Sequence, residues 1–193
     1  MPSIMMHLLT AKNFSPDLSA LFYLGTIAPD TISTWVQKDI SHFRNLTDSK
    51  RSDAMADLAT HTDKEDDFRE GILLHLYLDW KWDLGPFLKF KVKYIDENWF
   101  PLYRQELALT STYLYYTMPW SKTMWDNILA VDPCLYDNFH EASPTDIRTF
   151  AHNNYQWHLR QTKEFSTEFP PDYVEQFCLQ TANEYSIWRT KHS

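Results

Sequence analysis

The 193-residue chain carries 18 Lys and Arg against 26 Asp and Glu, a formal charge of −8, which weighs against loose adhesion to nucleic acid or an anionic membrane. Its length suffices for a single domain with a sizeable core, while three glycines leave few β-turns and two cysteines, Cys134 and Cys178, make no disulfide framework. No run reaches membrane-spanning length and the opening residues lack the parts of a secretory signal, so the expectation is a cytoplasmic, all-α protein in a reducing compartment.

In chain order, a first helix is predicted from Ser3 to Lys12, carrying His7 among Ile4, Met6, Leu8 and Leu9. Ser15 with Pro16 at the first helical position starts a second helix, which Gly25 ends. The segment TIAPDTI places Asp30 after Pro29, as a helix cap or as a ligand in an apolar setting. A polar connection follows and contains SHFRN, with His42 and Arg44.

The stretch from Thr62 to Asp83 is the predicted centre of the fold. Thr62 and Glu65 read as a capping box, with Asp63, Asp66 and Asp67 near the positive end of the helix dipole. From Phe68 to Leu78 the helix is apolar on nearly every side, the pattern of a surrounded helix. Into it the sequence sets His75 and Asp79, one turn apart on one face. A carboxylate and an imidazole in such a place need a partner that offsets desolvation: each other, in a polar core pair, or a metal ion.

Beyond this helix, Gly85-Pro86 predicts a break, and FLKFKVKY is helical or irregular. Helices are expected at about 100–116, 121–130, 143–165 and 170–191, the last two opened by Ser143-Pro144 and Pro170-Pro171. With no repeat and no dividing linker, residues 1–193 form one multi-helix bundle around the central helix at about 62–83.

The chemistry lies in a constellation. His7, Asp30, His42, His75 and Asp79 fall on successive short elements that pack naturally around the central helix. Three imidazoles and two carboxylates form a ligand set suited to zinc, manganese or iron. The motifs, His7, FYLGTIAPD ending at Asp30, SHF with His42 and HLYLD from His75 to Asp79, resemble in kind and order the zinc-dependent phospholipase C superfamily. That superfamily also contains single-strand-specific zinc nucleases, and the similarity is clearest to its short bacterial members, over about residues 1–83.

The resemblance implies that Asp30, His42 and His75 hold one zinc and that Asp79 bridges it to a second, held by His7. It further implies chelation of the second zinc by the amine and carbonyl of the mature N-terminal residue. Five positions before His7 that residue is Pro2, exposed as a free amine if Met1 is removed. The family's third zinc has no counterpart: Gly85 stands at one ligand position, and His140, His152 and His158 lack an acidic residue four positions on. His61 and Asp83 remain unplaced, so two metals are expected. The implied reaction is hydrolysis of a small phosphoester or phospholipid, with Asp30 orienting or deprotonating a metal-activated water. Arg44 is a candidate phosphate clamp or a solvated surface residue, and Trp80 and Trp82 line a pocket or fill the core. The competing function is a non-catalytic, metal-stabilised helical binding module.

Overall fold

The structure is a computed structural model and describes residues 1–95 and 98–192. The described residues form helices and loops with one isolated bridge, Phe139 to Ala142, so the all-α expectation holds. The α-helices, numbered in chain order, are α1 (Ile4–Phe14), α2 (Ala20–Gly25), α3 (Trp35–Ser41), α4 (Asp48–Thr60), α5 (Asp67–Trp82), α6 (Leu88–Lys93), α7 (Trp99–Thr117), α8 (Ser121–Leu129), α9 (Pro144–Leu159) and α10 (Pro171–Lys191). Among the described residues no helix is long and apolar enough to cross a membrane.

The central helix is α5, buried without interruption from Glu70 to Asp79, with Trp82 buried after it. It packs against α1, α2, α4 and α10 and against a 3-10 turn at Ala28–Thr31. The all-round apolar pattern of its sequence is thus met by partners on every side.

Its start differs from the expectation. The Thr62 hydroxyl donates to the Leu58 carbonyl at the end of α4, and Asp66 caps α5 by accepting from the Arg69 amide at 3.0 Å. The Thr62–Glu65 box is displaced because a preceding helix, unforeseen in the polar connection, already claims Thr62. α2 likewise begins at Ala20, with the Ser19 hydroxyl accepting from the Phe22 amide, rather than at Pro16.

Gly25 has a different task from the one expected. No glycine has a positive φ, so Gly25 does not end α2 through a left-handed turn. Instead α2 and α5 touch backbone to backbone. A Cβ on Gly25 would lie 2.1 Å from the Phe68 carbonyl oxygen, and one on Gly71 would lie 2.2 Å from the Phe22 oxygen. The close approach brings the Thr26 carbonyl to 2.8 Å from His75 Nδ1.

Gly85-Pro86 does not break the chain. Residues Asp83–Phe87 form a π turn that runs into α6, its wider ring absorbing a proline that an α-turn would exclude. The two charge-rich helices α3 and α4 occupy the polar connection, and α9 ends at Leu159 rather than near Phe165. Its capping box is Ser143 with Asp146. Cys134 and Cys178 are both free thiols.

Candidate metal centre

Four elements deliver the five predicted side chains to one place. His7 comes from α1, Asp30 from the 3-10 turn, His42 from the end of α3, and His75 and Asp79 from α5. Ligand atoms of His7, His75 and Asp79 lie within 4.8 Å of one another, as do those of Asp30, His42 and His75. The four residues other than Asp30 are at most 1% exposed.

The turn that presents His42 ends α3. The Phe43 amide donates to the Ile40 carbonyl at 3.1 Å and the Arg44 amide to that of Asp39 at 2.8 Å, a Schellman closure. Its left-handed residue is Phe43, φ 56°, where glycine is usual. The reversal sends His42 into the cluster and Arg44 beside it.

Tautomers follow from the partners. His75 Nδ1 lies 2.8 Å from the Thr26 carbonyl and must donate to it, leaving Nε2 unprotonated in the neutral ring. The Ser41 hydroxyl lies 3.2 Å from the Lys38 carbonyl and 2.9 Å from His42 Nδ1; donating to the carbonyl it fixes a proton on His42 Nδ1, and donating to Nδ1 it fixes one on Nε2. The two Nε2 atoms face each other at 3.2 Å, and both point toward Asp79 Oδ2. A histidine whose far nitrogen is fixed on a carbonyl or hydroxyl is the arrangement that metal ligands adopt.

Around them sit groups without hydrogen-bond partners: both nitrogens of His7 and Oδ1 of Asp79. The His7 and His75 rings stack, centroids 3.9 Å apart. Asp79 turns one oxygen to each side. Its Oδ1 is 3.7 Å from His7 Nε2, while Oδ2 is 3.5 Å from His42 Nε2 and 3.7 Å from His75 Nε2. Burial and the neighbouring His75 push His7 down to about 3, and burial holds His42 well below its usual value. Both rings are therefore neutral donors at neutral pH. Burial alone raises the carboxyl of Asp79, but the Arg44 guanidinium outweighs it and keeps it ionised; Lys38, 2.7 Å from Asp30, does the same there. Buried unpaired donors of this kind fit a cation.

Arg44 is not a free phosphate clamp. Its Nη2 donates to Asp79 Oδ2 at 2.8 Å and its Nε to Asp83 Oδ2 at 2.7 Å. Asp83, unplaced from the sequence, also accepts from Arg51 Nη1 at 2.9 Å. The Met1 amine lies 3.8 Å from Asp83 Oδ1 and within 3.2 Å of the Tyr103 hydroxyl, and burial lowers it to about 6. With Met1 present the Pro2 nitrogen is an amide; Pro2 lines a cavity of about 320 Å³ shared with Asp30, Lys38 and Arg104.

The other candidates lie elsewhere. His61 is on the surface beside Asp57, and His158 is buried against Ser111. Trp82 is core, its Nε1 donating to the Tyr103 hydroxyl at 2.7 Å, and Trp80 donates to Asp48. The sequence reading missed Lys38, Ser41, the Thr26 carbonyl and Arg51. The first three carry no motif: the Lys38 ammonium, the Ser41 hydroxyl and the Thr26 carbonyl meet their partners only in the folded chain. No family model matches the chain, and neither does any curated protein or any solved structure.

Proposed function

We propose that the cluster binds two divalent cations, zinc by its donor set, and that the chain is a metal-dependent phosphoester hydrolase. The observation that carries the metal reading is the convergence of His42 Nε2 and His75 Nε2, 3.2 Å apart, on Asp79, flanked by His7 and Asp79 Oδ1, which have no hydrogen-bond partner. Asp30, His42 and His75 would hold one cation, and His7 the other, with Asp79 between them.

Bound cations would supply an acidified water and offset the charge of a phosphoryl group. Asp30 orients the reacting water from the wall of the 320 Å³ cavity, with Lys38 fixing its carboxylate. Arg44 is a positioning residue that holds Asp79 and Asp83 in place. The phosphoester class rests on the resemblance over residues 1–83 and on cationic side chains, Lys38 and Arg104, in the cavity beside Asp30.

A second reading has its own support. Four ligands with almost no exposure, and an Arg44 ion pair closing on Asp79, also suit a structural ion in a non-catalytic module. Elemental analysis of purified protein with a panel of phosphomonoesters and diesters separates the two: bound zinc with turnover supports the hydrolase, bound zinc without it the module. Absence of bound metal overturns both. Within the metal reading, Asp79→Asn is expected to lower occupancy at both positions, and His7→Ala at one only. Wild-type metal content in Asp79→Asn would remove Asp79 as the bridge.

A further inference from the structure

A second opening, about 620 Å³, lies on the other side of Asp83 from the cluster and is bounded by α3, α4, the π turn and the start of α7. One wall is aromatic. Trp35 and Phe100 meet edge to face at 5.5 Å, Phe100 meets Trp99 at 5.5 Å, and Trp99 meets Phe87 at 5.7 Å. Trp35 is 64% exposed, an unusual cost for a tryptophan on a water-facing helix.

The opposite side holds Arg51. Its side chain is only 7% exposed, and Nη1 is used on Asp83. Nε and Nη2 are buried and have no hydrogen-bond partner. These two donors share one edge of the guanidinium, the fork that takes both oxygens of a single carboxylate or phosphoryl group. Leaving charged donors buried and unmet is costly. Asp39 and Asp48 line the same opening, yet neither forms an ion pair with Arg51 among the described residues, and Asp48 Oδ1 accepts from Trp80 Nε1 instead. Lys91 and Arg104 add positive charge to the lining.

We propose that this cleft binds an oxyanion carried on an apolar body of aromatic size, with the free edge of Arg51 gripping the anion and Trp35, Trp99 and Phe100 packing the body. The cleft adjoins the metal cluster: Arg44, which holds Asp79, lines it, Met1 and Arg104 line both it and the cavity beside Asp30, and Arg51 reaches the cluster through Asp83 and Arg44. Binding in this cleft needs neither bound metal nor turnover, so the proposal is tested apart from the hydrolase reading.

The test titrates the full chain in EDTA with 1-naphthylmethylphosphonate, read by tryptophan fluorescence and by the shift in thermal midpoint. 1-Naphthylacetate offers a carboxylate on the same ring, 1-naphthalenemethanol the ring without charge, and inorganic phosphate the charge without the ring. Saturable binding of the phosphonate or the carboxylate is expected, with the alcohol and inorganic phosphate at least tenfold weaker; the ratio of the first two identifies the preferred anion. Arg51→Gln is expected to weaken the anionic ligand tenfold or more, and Arg51→Lys several-fold because charge survives but the fork does not. Arg69→Gln, whose side chain pairs with Asp66 and Asp137 on the surface, is expected to change nothing. The wild-type comparison needs no folded variant. Equal affinity for the alcohol, no saturable binding of either anion, or unchanged affinity in a folded Arg51→Gln protein overturns the proposal.

Discussion

His158 shows what a buried imidazole does when its partners are complete. Its Nδ1 donates to the Asn154 carbonyl at 2.8 Å, and its Nε2 accepts from the Ser111 hydroxyl at 2.9 Å. Burial pushes it down to about 4, so the folded state keeps it neutral where the unfolded chain, near 6.5, takes up a proton. The stability this contributes is fully present above pH 6.5 and is lost as pH falls toward 4, about 3 kcal/mol across the interval. Thermal midpoints measured between pH 7 and 4 in EDTA are expected to fall less steeply in His158→Gln than in the wild type. The same accounting sets His7 apart, since it is equally buried but has no partner at either nitrogen. This contrast is why the clustered histidines and aspartates were legible as candidates and their supports were not. Histidine and aspartate in an apolar run announce an unmet need in the sequence itself. Arg44 announces only a positive charge, and whether that charge meets a substrate or Asp79 depends on the left-handed turn at Phe43, which no glycine marks.

Among the elements, the α2–α5 contact decides whether the site can form. Gly71→Ala would drive a methyl group into backbone atoms of Phe22, Thr26 and Gly25, which cannot swing aside as a side chain would. A loss of about 3 kcal/mol or more is expected in urea denaturation, together with weaker metal binding, because the Thr26 carbonyl that orients His75 rides on the same contact. Gly85→Ala is the opposite case. It lies in the helical π turn with nothing within 4 Å of a new Cβ, and a gain of about 0.5–1 kcal/mol is expected. The helix pattern of α5, α7, α9 and α10 was legible because each is long and its apolar residues recur. α3 and α4 were not, since Asp48–Thr60 buries only Arg51, Met55 and Ala59 and so carries a weak apolar stripe. Missing α4 also misplaced the start of α5 and concealed Arg51.

At the scale of the whole molecule, α10 is tied to the centre by charge as well as by packing. Arg189 Nε donates to Glu70 Oε1 at 2.7 Å and its Nη2 to the Thr62 carbonyl at 2.8 Å, while the Tyr185 hydroxyl donates to Glu70 Oε2. Both charged residues are at most 5% exposed. Arg189→Met is expected to cost about 3–5 kcal/mol, because Glu70 is left charged and buried, and Glu70→Leu in the same chain to recover most of it. A double-mutant cycle in urea checks the coupling. α10 also runs beside α1, and the contacts show the direction: Cys178 Sγ lies 3.7 Å from the Met6 carbonyl, and Tyr185 meets Phe14 about two turns further along both helices. The two helices are therefore parallel, with the start of one and the finish of the other at opposite poles. A pull applied through these ends loads every contact of the seam at once, in sliding rather than in peeling. Any sliding of α1 along its own axis would carry His7 off Asp79, so a load on this seam is also a load on the His–Asp cluster.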